Sequence, residues 1–271
     1  MKLKKDLLTV VTASSLAVFC AIILLLVYAD IAYVANRGMS ARGLWKILLS
    51  PDVVAGMWLS AATSLVTLGL VVIFAIPVGY ALSRLRFFGH AVANMIVDIP
   101  LVLPPVVVGL SLLAFFGSNP IGGFIKSTLK LFDLSLTSAI GIVLCQFLLS
   151  VSYCVRSAKT SFDAINPDLE NVALTLGCST WQAFRRVTLP LALNGLVAGS
   201  VMAWARAVGV FGPVMVFVGT SPRVQIMPTA IWVELNTGNI EKAFAISLIM
   251  VLFAGIALTL VHWLAPGRES L

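Results

Sequence analysis

Residues 166–190 read NPDLENVALTLGCSTWQAFRRVTLP, a polar, helix-forming stretch set between two long apolar runs. Asn166 suits a helix N-cap, and Pro167 suits the first helical position, where its missing N–H costs nothing. Asp168 and Glu170 put negative charge in the first turn, as the helix dipole favours. Leu169, Val172, Ala173 and Leu176 recur at i, i+3, i+4 and i+7, a one-sided apolar stripe. Gly177 supplies a C-terminal stop. Ser179 with Gln182 three residues later makes a capping box, opening a second helix that Leu189-Pro190 is expected to end. A loop that only joined two membrane spans would need none of this structure. It either packs against its own bundle or docks a cytoplasmic partner, and Ala173 and Gly177 are small enough to let another surface approach.

Over the whole chain, 60% of residues are hydrophobic, only 11% are charged, and mean hydropathy is +1.04. A soluble domain carries about 25% charged residues. The composition therefore predicts an all-α integral membrane protein. Six segments are apolar enough for spans of about 20 residues: Leu7–Val34, Leu59–Leu82, Ala93–Phe116, Leu136–Val155, Pro190–Val218 and Ala243–Leu264. They form a single transmembrane domain over 1–271, with a first span at 7–34, a core at 53–264 and the structured loop at 166–190. The basic head MKLKKDLL before a long apolar run reads as an uncleaved first span rather than a signal peptide.

An even number of spans puts both termini on one side. That side holds ten Lys and Arg residues, among them Lys2, Lys4, Lys5, Arg84, Arg156 and Arg185, and the other holds seven, including Lys46, Lys126, Lys130 and Lys242. The excess makes the first side cytoplasmic, and the 166–190 loop with it. The net charge of +7 is spread over the ends of apolar runs, so it reads as topology and headgroup contact with the bilayer, not as a nucleic-acid groove.

Several spans carry breakers: Pro77 in the second, Pro100, Pro104 and Pro105 in the third, Gly209, Gly212 and Pro213 in the fifth. Such interruptions mark either a pathway or plain packing. Arg206 lies sixteen residues past Pro190, or about 24 Å along a helix, beyond the middle of the bilayer. A guanidinium there is a cationic pathway residue suited to a tetrahedral oxyanion, half of a structural ion pair, or a charge snorkelling toward the outer headgroups. Asp98 is expected to pair locally with Arg84, Arg86 or His90. Trp58, Trp232 and Trp263 fit interfacial belts. The spacing of Cys20, Cys145, Cys154 and Cys178 gives neither a metal site nor a disulfide framework. There is no phosphate-binding Gly-Lys loop, no HExxH, and His90 and His262 are far apart, so no enzymatic constellation is expected.

Glu170, Ala173 and Gly177, followed by Leu189-Pro190, resemble the "EAA" loop of ABC importer permeases. The spacing from Glu170 to Gly177 and on to Pro190 is kept, although Asn171-Val172 displaces one motif alanine. Residues 63–84 (TSLVTLGLVVIFAIPVGYALSR) resemble that family's second span. Residues 98–113 (DIPLVLPPVVVGLSLL) and 203–219 (AWARAVGVFGPVMVFVG) resemble the molybdate and sulfate branch. That branch usually has Gly-Glu-Phe-Gly where this chain has Gly209-Val210-Phe211-Gly212, so Arg206 lacks a carboxylate four residues on.

The resemblance implies the membrane subunit of an importer for an oxyanion such as molybdate, tungstate or sulfate, in a bacterial or archaeal plasma (inner) membrane. It implies a permease homodimer, an extracytoplasmic substrate-binding protein, and a cytoplasmic ATPase dimer that binds the ATP, so that this chain needs no cofactor and is not an enzyme. It assigns coupling to Asp168, Glu170, Ala173, Leu176, Gly177 and Trp181, and the pathway or its gate to Pro104, Pro105, Arg206 and Phe211. Two alternatives stand beside it. One is an ABC permease for thiamine, iron or phosphate. The other is an ATP-independent secondary transporter, although such proteins carry intramembrane carboxylate relays that are scarce here.

Overall fold

The computed structural model describes residues 2–36, 41–131, 135–221 and 224–264. Its described elements are helices: α1 Lys2–Asn36, α2 Ala41–Leu48, α3 Pro51–Arg84, α4 His90–Val102, α5 Pro105–Ser118, α6 Pro120–Leu131, α7 Ala139–Asp163, α8 Asp168–Thr175, α9 Thr180–Ala183, α10 Leu189–Val208, α11 Gly212–Phe217, α12 Met227–Asn236 and α13 Ile240–Leu264. Among the described residues, four helices are long and apolar enough to cross a membrane: Val10–Val34, Pro51–Arg84, Ala139–Asp163 and Thr180–Val208. They overlap the first, second, fourth and fifth predicted spans.

The predicted third span is not straight. It forms α4 and α5, bent by 111° at their junction. The break falls at Leu103-Pro104, where both residues adopt extended ψ values of 132°. A residue before proline is pushed out of the helical region, so Leu103 before Pro104 and Pro104 before Pro105 act in series. Pro100 breaks nothing, because α4 runs through it to Val102. Likewise α3 runs unbroken through Pro77. A lone proline removes one hydrogen bond; two consecutive ones also reset the backbone of the residue between them.

The predicted fifth span also changes. Pro190 does not end a helix, because Thr180–Val208 is one continuous helical run. Residues Phe184–Thr188 form a π-helical turn, in which the Leu189 N–H reaches back to the Phe184 carbonyl. The wider turn gives the Pro190 ring room beside the preceding carbonyls. The far end does break as expected. Gly209 caps α10 and Phe211 precedes the short α11. The sixth predicted span falls on α13, whose last side chains lie outside those described, as do those of His262 and Trp263.

The chain divides into two compact units, Met1–Val54 with Ala230–Ile256, and Ala55–Thr229 with Ala257–Leu271. In the first, the side chains of α1 from Val10 to Leu26 are exposed, as a lipid-facing helix requires. Tyr33 stacks on Phe244 with ring centroids 4.1 Å apart. The Lys242 Nζ lies 2.5 Å from Asp52 Oδ2 and 2.7 Å from Glu234 Oε1, tying three helices together.

The second unit is built on the pairing of α7 with α10. Gly195 and Gly199 bring the two backbones close, facing Ser161 and Ser157. The Ser157 hydroxyl donates to the Gly195 carbonyl at 2.7 Å. Small residues and interhelical hydroxyl bonds are how helices associate in lipid, where burial of apolar surface gives no preference for a neighbour over the solvent. The Thr67 hydroxyl donates to Gln146 Oε1 at 3.0 Å, and Trp204 Nε1 donates to Ser64 Oγ at 3.2 Å. These bonds join α3 to α7 and α10. Around them sits an aliphatic core that includes Val108, Leu112, Ile142, Leu149, Val214 and Ile226.

Candidate functional site

Helix α8 begins as the sequence indicates. Asn166 Oδ1 accepts the Asp168 N–H at 3.0 Å, so its side chain caps the first turn. The helix ends in a Schellman turn. Gly177 has φ of +87°, its N–H donates to the Leu174 carbonyl, and the Cys178 N–H donates to the Ala173 carbonyl. The left-handed backbone is what makes Gly177 a glycine, since a Cβ there would meet nothing within 4 Å. The Ser179–Gln182 capping box closes on both sides, at 2.9 and 3.3 Å.

Glu170 does not point outward. Its Oε1 accepts from Arg84 Nε at 2.9 Å, and its Oε2 accepts from the Tyr80 hydroxyl at 2.9 Å. Arg84 also donates to the Ile165 carbonyl at 3.0 Å. The ion pair is well shielded, with side-chain exposures of 13% and 15%. Burial pushes the Glu170 carboxyl up, but the bonds from Tyr80 and Arg84 outweigh it and hold the group below the usual glutamate range. Tyr80 in turn packs edge-on against Phe162 and Phe184. The loop is therefore latched to the end of α3 and seated on α7. Nothing in the sequence pairs Arg84 with a residue 86 positions away, so this latch escaped the sequence reading.

A depressed carboxyl stabilises the fold fully above its unfolded pKa, about 4.3, and that stabilisation is lost as pH falls through the lower folded value. Thermal melting of the detergent-purified chain and its Glu170→Gln variant should differ at pH 7. The gap should close as the pH is taken below 4. A gap that stayed constant would place the Glu170 contribution outside the ion pair.

The rest of the stripe is split. Ala173 is buried at 8% exposure, whereas Leu169, Val172 and Leu176 are exposed, Leu176 at 80%. Trp181 is 66% exposed and stacks on Phe184 at 5.5 Å. Asp168 is exposed in the first turn. One polar anchor, one buried alanine and a row of exposed apolar side chains thus share a single short helix and its turn.

The predicted pathway residues lie elsewhere. Pro104 and Pro105 form the bend between α4 and α5, with Pro104 exposed. Phe211 is half-buried in the break between α10 and α11. Arg206 occupies the last turn of α10, where a cation suits the helix dipole, and its Nε is buried without a hydrogen-bond partner among the described residues. Val210 is 1% exposed within the aliphatic core, so a carboxylate at that position would be buried against apolar side chains. Asp98 does not pair with Arg84, Arg86 or His90. It pairs with Arg156 on α7, while His90 bonds the Leu82 carbonyl and Asn94. The register of α4 against α7 decided this, and spacing along one segment could not show it.

Residues 72–270 match the family model described as "Binding-protein-dependent transport system inner membrane component". The chain is 38% identical over 225 residues to the "Probable molybdenum ABC transporter permease protein" of Haloferax volcanii, covering 81% of this chain and 80% of that one. It is 35% identical over 229 residues to the "Molybdenum transport system permease protein" of Escherichia coli K12, covering 81% and 96%. Among solved structures, a chain of a bacterial alginate ABC transporter in complex with an alginate-bound periplasmic protein aligns with a TM-score of 0.70 at 17% identity, covering 96% of this chain and 93% of that one. At that identity the likeness shows the fold.

Proposed function

Because the chain belongs to the family of binding-protein-dependent transport system inner membrane components, we propose that it is the subunit through which a tetrahedral oxyanion, molybdate or a close analogue, crosses the membrane under the drive of a separate ATPase. Six spans, with both termini and the 166–190 loop in the cytoplasm, fit this role. A second copy of the chain completes the pathway along the faces of α4, α5 and α10. An extracytoplasmic binding protein delivers the cargo.

One observation carries the reading: α8 is latched to α3 by Glu170, while Leu176 at its C-terminal end and Trp181 on α9 stay exposed. Exposed apolar side chains on a polar membrane face are costly unless a partner covers them. A latched helix moves as a rigid body with the spans it is tied to. Closure of the ATPase dimer on ATP would draw the two α8 helices together and open the spans outward, and hydrolysis would reverse the motion.

Molybdate as cargo draws on the names of the relatives and on Arg206, whose buried Nε has a free donor to offer an anion. Arg206→Ala should lower uptake about tenfold at limiting substrate, the loss of one charge-assisted hydrogen bond. Unchanged uptake kinetics would remove Arg206 from the pathway. The cargo itself is tested by elemental analysis of the binding protein that co-purifies with this subunit. Molybdenum or tungsten at one atom per protein supports the reading, and thiamine, iron or phosphate in its place overturns it.

A further inference from the structure

At the end of the second unit remote from α8 lies a cavity of about 430 Å³ between α5, α6, the turn before α7, and α11. Helix α7, about 37 Å long for 25 residues at 1.5 Å each, runs between them along the chain. Phe116 and Phe217, with ring centroids 5.7 Å apart, form its apolar wall. Lys126 and Lys130 open onto it one turn apart on α6, together with Ser135 and Thr137.

Two lysines at i and i+4 repel each other, a small destabilisation that a nearby carboxylate normally cancels. Among the described residues neither has an ion-pair partner, since the five described pairs lie elsewhere. Helix α6 cannot easily swing the lysines away. Gly122 packs so closely on α5 that a Cβ would lie 2.0 Å from the Phe115 carbonyl oxygen. The Ser135 and Thr137 hydroxyls are bonded to each other at 2.8 Å, which consumes one proton and leaves the other free to donate. The cavity thus gathers two ammonium groups and a hydroxyl donor beside an aromatic wall that lowers the local dielectric.

We propose that this cavity binds a tetrahedral oxyanion, held between the Lys126 and Lys130 ammonium groups and the Ser135–Thr137 hydroxyl pair. Two sources share that chemistry: the transported anion on arrival, and the phosphate of an anionic lipid headgroup. That the occupant is cargo rests on the importer reading; the preference for an oxyanion does not.

The test is lysine acylation with a water-soluble ester on the assembled transporter, read by mass spectrometry, with Lys46 as internal reference. The ligand is molybdate, sulfate or chloride at matched ionic strength, in neutral detergent. At about 10 mM molybdate and a dissociation constant near 1 mM, acylation of Lys126 and Lys130 should fall about tenfold relative to Lys46. Protection by molybdate or sulfate but not chloride assigns the free anion. Protection appearing only in bilayer discs containing phosphatidylglycerol, and absent in phosphatidylcholine, assigns the lipid phosphate. Equal acylation under every condition overturns the site, whatever the uptake measurements give. Conversely, protection in a transporter that imports no oxyanion would leave the site standing and remove the importer reading.

Discussion

Replacing Glu170 with alanine should reduce transport at least tenfold while leaving the spans folded. The substitution strands the Arg84 guanidinium and the Tyr80 hydroxyl, which lose their shared acceptor. Breaking a shielded pair by removing one partner costs about 3 kcal/mol, because the remaining guanidinium stays shielded without its carboxylate and keeps only the Ile165 carbonyl as an acceptor. That cost falls on the latch between α8 and α3, not on the α7–α10 packing that holds the unit together. Helix α8 should then detach from the end of α3, and every 1.4 kcal/mol lost from the latch is a factor of ten in its population. The exposed i, i+4 pair of Lys159 with Asp163 is the natural comparison, since such pairs contribute about 0.3–0.5 kcal/mol. Lys159→Ala should therefore leave transport near the wild-type rate. Glu170→Gln retains one acceptor oxygen and should fall between the two. Reconstituted uptake and ATP hydrolysis measured side by side check the series. A Glu170→Ala variant transporting at the wild-type rate would show that the latch transmits nothing.

Gly195→Leu should abolish folding of the larger unit. A Cβ at Gly195 would stand 1.8 Å from Ser161 Oγ, and one at Gly199 would stand 2.4 Å from Ser157 Cβ. Both serines lie on α7, so relief requires the two helices to separate. Separation also breaks the bond from Ser157 to the Gly195 carbonyl. Overpacking of this kind costs about 3 kcal/mol or more, and the backbone on both sides has little freedom to shift. In lipid the lost contacts are not replaced by a general apolar drive, so close small-residue packing carries more of the association than it would in water. Gly69→Leu, on α3 with nothing within 4 Å of its Cβ, is the control. Size-exclusion profiles in mild detergent should show the Gly195 variant aggregated and the Gly69 variant monodisperse. Similar profiles for the two would mean that the α7–α10 contact does not hold the unit.

The parts of this architecture legible in the sequence were those written in local chemistry. The Asn166 cap, the Gly177 turn and the Ser179–Gln182 box each involve residues within five positions of one another, and each forms as read. The apolar runs gave the helices, because backbone groups in lipid have no other way to be satisfied. Proline was the main source of error. Pro77, Pro100 and Pro190 look like breakers, yet only the Pro104-Pro105 pair bends its span sharply. A π-turn before Pro190 supplied an accommodation that no periodicity signals.

What joins distant segments was not legible. Glu170 was recognisable as a loop residue, but its tie to Arg84 and Tyr80 depends on where α3 ends relative to α7. The Asp98–Arg156 pair has the same cause. The apolar stripe on α8 is legible as a pattern, but the pattern alone does not say that Ala173 is buried while Leu176 is exposed.

The 166–190 loop is proposed to couple this subunit to an ATPase through its exposed apolar side chains. The most direct measurement is molybdate uptake into proteoliposomes containing the complete transporter, with and without enclosed ATP, for the wild type and for Leu176→Asp combined with Trp181→Asp. The wild type should accumulate molybdate only with ATP, and the double variant, whose membrane subunits still assemble, should accumulate none. Uptake that continues without ATP and collapses with the proton gradient, or a double variant that imports normally, would contradict it.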